Sequence, residues 1–153
     1  MREMNDKLTG TIETLKRDVE RLRVIETPMK FVPLTTPLTS TSWDGDAYST
    51  TAKTKIDLSS VFSAPAGIKA VCVYMYCRDS GSAASNLIYF GVNPNNTDNQ
   101  NAVTVAPRGL ANDYFAFQSG ICPCNADGDI YYQIRASGSG TLDAWLEITG
   151  YWV

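Results

Sequence analysis

Apolar residues near the start of the chain fall at Leu8, Ile12, Leu15, Val19 and Leu22, in steps of four, three, four and three. That is the a/d rhythm of a coiled coil, and it predicts a helix over Met4–Ile25. Ile12 and Val19 take a; Leu8, Leu15 and Leu22 take d. Asp18 then falls at g and Arg23 at the following e, where opposite charges pair between parallel helices. A lone helix of about 20 residues with so narrow a stripe is marginal in water unless partners bury the stripe. Self-association is therefore the expectation, with Leu8, Ile12, Leu15, Val19, Leu22 and Ile25 as its contact residues. The alternative is an amphipathic helix packed on its own domain.

The number of strands in the coil is less direct. Ile or Val at a with Leu at d suits a dimer, whereas Arg21-Leu22-Arg23-Val24-Ile25-Glu26 follows the Arg-h-x-x-h-Glu pattern of short trimeric coiled coils. A parallel trimer is expected. The step from Leu22 to Ile25 is a second consecutive three, a stammer that overwinds the seam before it ends.

Pro28, Pro33 and Pro37 lie among Thr and Ser residues from Thr27 to Thr41, so the helix stops near Glu26 and an extended neck follows. Met29, Phe31, Val32, Leu34 and Leu38 are too apolar for a free linker and predict that the neck lies against the following domain or neighbouring chains. From Ser42 the period becomes two. Trp43-Asp44-Gly45-Asp46 reads as a turn. Strands are expected at Lys53–Leu58, Ile68–Cys77, Asn86–Val92, Ala102–Ala106, Tyr114–Gln118, Ile130–Ala136 and Leu142–Trp152.

In the run Ile68–Cys77, Val71, Val73 and Met75 face one way and Cys72, Tyr74 and Tyr76 the other. This fits a strand covered on both sides, by a sheet on one and a neighbouring subunit on the other. The last two strands read as a hairpin, with Ile130, Tyr132 and Ile134 beside Leu142, Ala144, Leu146 and Ile148 on one buried face. The predicted fold is mainly β: a coiled-coil helix (residues 1–26), a Pro/Thr-rich extended neck (27–41) and an antiparallel β-sandwich or jelly-roll head (42–153). The head, roughly 110 residues, is large enough for its own core.

Charge narrows the partners. The formal net charge is −3; residues 1–30 hold seven Lys/Arg against six Asp/Glu, and residues 31–153 hold six against ten. An acidic head without a clustered basic surface predicts neither nucleic acid nor an anionic membrane as partner. No apolar run reaches the roughly 18 residues of a membrane span, and Arg2, Glu3 and Asp6 are unlike a signal peptide. Synthesis and folding in the cytoplasm are the expectation.

The sequence contains no histidine. Ser-His and Cys-His catalysis and imidazole-ligated metal hydrolysis are thereby excluded, and no enzyme and no cofactor are expected. Cys72, Cys77, Cys122 and Cys124 lack zinc-ligand spacing and are expected as reduced thiols, with a link from Cys72 or Cys77 to Cys122 or Cys124 as the alternative. Asp44/Asp46 and Asp127/Asp129 are the nearest carboxylate pairs for glycoside hydrolysis, but both sit in turn sequences. Asn125-Ala126-Asp127-Gly128-Asp129 has calcium-loop oxygen spacing, yet its sixth position is Ile130 and its twelfth Ala136, so turn residues are expected there. Eight Tyr and three Trp supply either a core, a subunit interface or sugar-stacking platforms.

Thr41-Ser42-Trp43-Asp44-Gly45-Asp46, Arg78-Asp79-Ser80-Gly81-Ser82-Ala83, Asp129-Ile130-Tyr131-Tyr132-Gln133-Ile134 and Trp145-Leu146-Glu147-Ile148-Thr149-Gly150-Tyr151-Trp152 resemble the C-terminal domains of small tailed-phage head-fibre and tail-fibre proteins. The likeness covers about residues 39–153 and is strongest at the Gly-Asp-Ile-Tyr-Tyr and Gly-Tyr-Trp segments. It implies a homotrimeric virion protein on the particle surface, attached to other virion proteins by its N-terminal helix. Its head would adhere to host-surface glycan or protein through multivalency. A capsid decoration protein and a free trimeric carbohydrate-binding module are the alternatives. The resemblance carries no binding residues with it. Polarity and predicted exposure point to three contact loops: Asn93–Asn101 with Asn95, Asn96, Asp98 and Asn99; Arg108–Asp113 with Arg108, Asn112 and Asp113; and Arg78–Ser82 with Arg78.

Overall fold

The computed structural model describes residues 2–25, 28–43, 45, 53–84, 87–97 and 100–153, without the side chains of helix residues 2, 3, 5, 6 and 22–25. The predicted turn residues Asp44 and Asp46, the loop residues Asp98 and Asn99, and the side chains of Leu22 and Ile25 lie outside that description. The chain divides into two compact units, Met1–Lys30 and Phe31–Val153.

The first unit is a single helix, α1 (Arg2–Ile25). Within it the Thr11 and Thr14 hydroxyls donate to the carbonyls of Lys7 and Gly10 one turn back, at 2.9 and 3.0 Å. Leu8, Ile12, Leu15 and Val19 are exposed by 61, 47, 58 and 48%.

The second unit is mainly β. Its elements are β1 (Phe31–Leu38), β2 (Thr54–Ile56), the five-residue helix α2 (Leu58–Phe62), β3 (Ala70–Asp79), β4 (Tyr89–Asn93), β5 (Val103–Val105), β6 (Ala116–Pro123), β7 (Ile130–Arg135) and β8 (Leu142–Trp152). They form two antiparallel sheets, ordered β1-β8-β3-β6 and β2-β7-β4-β5. Alternate residues of both sheets meet in one core. Val71, Val73, Met75 and Cys77 with Leu142, Leu146 and Ile148 come from the first sheet; Ile88, Phe90, Val92, Ile130, Tyr132 and Ile134 come from the β4 and β7 side.

Three elements depart from the expectations. The final two strands are not a hairpin: β7 pairs with β2 and β4, and β8 with β1 and β3. Their buried residues face each other through the core instead of lying side by side, because alternation fixes which face is buried and says nothing about which sheet owns it. The extended segment from Thr27 to Thr41 contains a strand, β1, paired with β8 from Phe31 opposite Trp152 to Leu38 opposite Ile148, with irregular register between Pro33 and Leu38. An edge position tolerates the prolines, which have no N–H to give to a ladder. The run predicted as a strand over Lys53–Leu58 is cut short by α2. The Asp57 carboxylate accepts from the Ser59 and Ser60 amides at 3.1 and 3.0 Å and caps it, and Ser63 ends it in the left-handed region at φ 56°.

The pairings also fix the two ends of this unit. The chain enters β1 beside the C-terminal end of β8. The ends of β3 and β7 and the starts of β4, β6 and β8 lie at the opposite end, since Asp79 faces Leu142, Cys77 faces Ala116 and Tyr89 faces Arg135. The described residues of the connections 80–88, 106–115 and 136–141 therefore project away from the end where the chain enters. The β4–β5 connection, containing Asn95 and Asn96, emerges at the entry end.

Candidate functional site

On β3, Val71, Val73, Met75 and Cys77 point into the core, so Cys72, Tyr74, Tyr76 and Arg78 point out. Register places Ile121, Ser119 and Phe117 of β6 beside Cys72, Tyr74 and Tyr76, and Glu147, Trp145 and Asp143 of β8 beside Tyr74, Tyr76 and Arg78. Between Cys72 and Val73 the β3–β8 register slips, leaving Thr149 as an extra residue on β8; its hydroxyl donates to the Cys72 carbonyl at 3.2 Å. The bulge reverses the alternation on β8. Trp145 and Glu147 face outward before it, and Gly150 and Trp152 after it. Phe31 of β1 lies over Gly150, where an added Cβ would come within 2.7 Å of its ring, and against Trp152 with centroids 4.5 Å apart.

The outer face of the first sheet is thus aromatic along much of its length. Phe117, Tyr76 and Trp145 form a ladder across three neighbouring strands: Tyr76 and Trp145 are parallel within 9° at 5.1 Å, and Tyr76 and Phe117 within 30° at 5.9 Å. Parallel rings this close cannot lie side by side in one plane. They stand on the sheet with their faces against one another and their edges toward solvent. Tyr74 and Phe115 flank the ladder. Burial, followed by the nearby Glu147 carboxylate, pushes the Tyr76 hydroxyl pKa above its ordinary value.

Arg78, expected in a contact loop, is instead a β3 residue of this face. Its Nε donates to Asp143 Oδ2 at 2.6 Å, and its guanidinium lies 5.2 Å from the Phe115 centroid and 6.0 Å from that of Trp145. The sequence placed it in a loop because Arg78-Asp79-Ser80-Gly81-Ser82 is polar, but the strand runs two residues past Cys77. Phe115, Phe117 and Ile121 join this face without a place among the sequence-based contact residues, and Trp145 joins it from the last predicted strand. The Phe115–Phe117 and Tyr74–Tyr76 alternations carried the signal.

The far-end loops are knitted together. Asp113 donates its amide to the Asp79 carbonyl at 3.0 Å, Gly109 to the Ser82 carbonyl at 3.0 Å, and Ala83 to Asn112 Oδ1 at 3.0 Å. The Ser82 hydroxyl donates to the Leu110 and Ala111 carbonyls. The structure therefore brings the Arg78–Ser82 and Arg108–Asp113 segments together, with Arg108, Asn112 and Asp113 exposed. It leaves Asn95 and Asn96 at the other end, where Asn95 Oδ1 accepts from the Thr97 amide and hydroxyl.

The calcium-like loop is committed elsewhere. Asn125 Oδ1 accepts from the amides of Asp127 and Asp129 at 3.0 and 2.8 Å, while Asp129 accepts from Lys55 Nζ at 3.0 Å and the Leu58 amide at 3.2 Å. The ammonium holds the place a cation would take. The hydrogen bond and charge of Asp129 raise the Lys55 pKa in return. The four cysteines are free thiols, and among the described residues no cluster of three or more acidic or cysteine side chains could hold a metal.

Compared with known protein families and with curated proteins, the chain matches none.

Proposed function

We propose that this chain is a homotrimeric spike or fibre protein of a bacteriophage particle. Its N-terminal helices form a parallel coiled-coil stalk, and its β-sandwich, of jelly-roll type, is displayed at the virion surface for adhesion to host glycan or protein. The exposed stripe Leu8, Ile12, Leu15 and Val19 carries this reading: four large apolar residues at heptad spacing stand open on a helix that needs partners to persist in water. The helix would also dock the spike on other virion proteins. Adhesion is by avidity, with three heads per spike and no chemistry. The connected loops around Arg108, Asn112 and Asp113 are the contact region, because they project from the end of the sandwich remote from the point where the chain enters it.

Helix length favours a second reading, a capsid decoration protein. The 24 residues of α1 span about 36 Å at 1.5 Å per residue, enough for a stubby spike seated in a shell. Light scattering on the full-length chain should give three times the chain mass, and Ile12→Asp should return it to one; a monomeric native chain overturns the fibre reading. Binding of the full-length trimer to glycan arrays or to host cells supports adhesion. Intact binding-negative trimers, with particles that fall apart without the protein, assign it to the capsid shell instead.

A further inference from the structure

We infer that the outer aromatic face of the β1-β8-β3-β6 sheet is a contact surface for a second copy of this chain, so that the heads of one assembly pack on each other through Phe117, Ile121, Tyr76 and Trp145. The inference rests on the proposal that α1 gathers the copies, and adds where the heads meet.

Three observations select this occupant. The first is area. Phe31, Phe115, Phe117 and Ile121 are exposed by 43, 41, 57 and 54%. With the half-buried Tyr74, Tyr76, Trp145 and Trp152 they present on the order of 500 Å² of apolar surface on one side of one sheet. A standard interface takes about 800 Å² from each partner, somewhat over half of it apolar, which is the same quantity. Among the described residues, the outer face of the other sheet has no such surface. It carries Lys55, Thr104, Gln133 and Arg135 with Tyr89 and Tyr131.

The second is ring orientation. A sugar stacks on the open face of a ring, but the faces of Tyr76 and Trp145 are turned to each other and Arg78 lies over Phe115. What the ladder offers outward is a ridge of ring edges, which interdigitates with another protein surface. Charge permits self-contact: Arg78 is already paired with Asp143, so among the described residues of this face Glu147 is the one charged side chain outside that pair.

The third is chain length. Ile25 and Phe31 are only six residues apart in the chain, so whatever gathers the helices also gathers the heads. Helices gathered in a coil hold three copies of this sheet's edge at high local concentration, where a modest apolar patch suffices to associate.

The test uses full-length chain carrying a photo-cross-linker, Phe117→p-benzoylphenylalanine, with Val19→p-benzoylphenylalanine as the helix control. Irradiation should convert both into species of twice the chain mass or more. Adducts from position 117 should map to another copy's residues 70–79, 116–123 or 142–153, and Ile121→Glu should cut that yield at least tenfold. Copy-to-copy cross-links at 19 with only intrachain adducts at 117 overturn the inference and leave the coiled-coil reading standing. The reverse pattern supports this face and overturns the stalk. A Trp emission shift and loss of 117 cross-linking on adding soluble oligosaccharide would make the face a glycan platform and overturn the inference.

Discussion

Thr141 Oγ1 donates to Asp79 Oδ2 at 3.0 Å, joining residues 62 positions apart at the end of the sandwich remote from Phe31. The same carboxylate accepts from the Gly81 amide at 2.7 Å and from both the amide and the hydroxyl of Ser137. One buried side chain thus fixes both the β3–β4 and the β7–β8 connections, while the main-chain carbonyl of the same residue holds the Asp113 turn. Removing the side-chain charge should loosen the two connections.

Asp79→Asn is expected to destabilise the head by about 1.5–3 kcal/mol, the range for buried hydrogen bonds to a charged group. Burial works to raise the Asp79 pKa, but the Ser137, Gly81 and Thr141 donors outweigh it and hold the carboxyl below its ordinary value. A depressed folded-state pKa means stability present above the ordinary aspartate pKa and lost as pH falls through the folded value. Urea midpoints at pH 7 and pH 3 check this: the Asn variant should lose stability at pH 7 and show a smaller drop between the two. An unchanged midpoint at pH 7 refutes the role.

Gly10 lies at an f position of the predicted heptads, in the middle of α1, with nothing within 4 Å of an added Cβ. Gly10→Ala should therefore stabilise each helix by about 1 kcal/mol through backbone entropy alone. Thermal melts followed at 222 nm should move upward, with the mass in light scattering the same as that of the native chain.

The same substitution at Gly120 should act in the opposite sense. There an added Cβ would lie 2.7 and 3.0 Å from the two γ-carbons of Val103, whose branched side chain has no flexible end to yield. Gly120→Ala is expected to cost about 1–3 kcal/mol by forcing β5 and β6 apart. Pairing it with Val103→Ala should recover part of that loss, a coupling measurable in a double-mutant cycle.

Legibility in the sequence followed periodicity. The helix and most of β8 are plain there, because four- and three-residue steps and the alternation from Leu142 to Ile148 are strong signals. Sheet membership was not. Ile134 and Leu146 both belong to the core, and nothing local distinguishes hairpin partners from strands facing each other across it. The prolines of β1 argue against a strand interior and predict extended chain, while its edge position is a property of the whole fold. The Thr149 bulge, which turns Trp152 to the same side as Trp145, is written in no pattern of period two. Polarity marks the loop residues, and it locates exposed turns well. It misplaced Arg78, whose environment is set by the Phe115 and Trp145 rings and not by its polar neighbours in the chain.

The thiols offer a probe that does not depend on assembly. Burial pushes Cys77 and Cys122 to about 12 and Cys124 to about 11, with Asp79 adding to the first, Cys124 to the second and Asp129 to the third. The thiolate is the reactive form, so each is almost wholly protonated at pH 8. Cys77 and Cys122 are also closed to solvent. Iodoacetamide at pH 8 should leave both unmodified in the folded chain over a time in which all four cysteines alkylate in guanidinium, read by peptide mass spectrometry. Rapid native alkylation of Cys77 would mean that the β3–β5 side of the core opens, because its sulfur sits 4.0 Å from the Val105 carbonyl, between the two sheets.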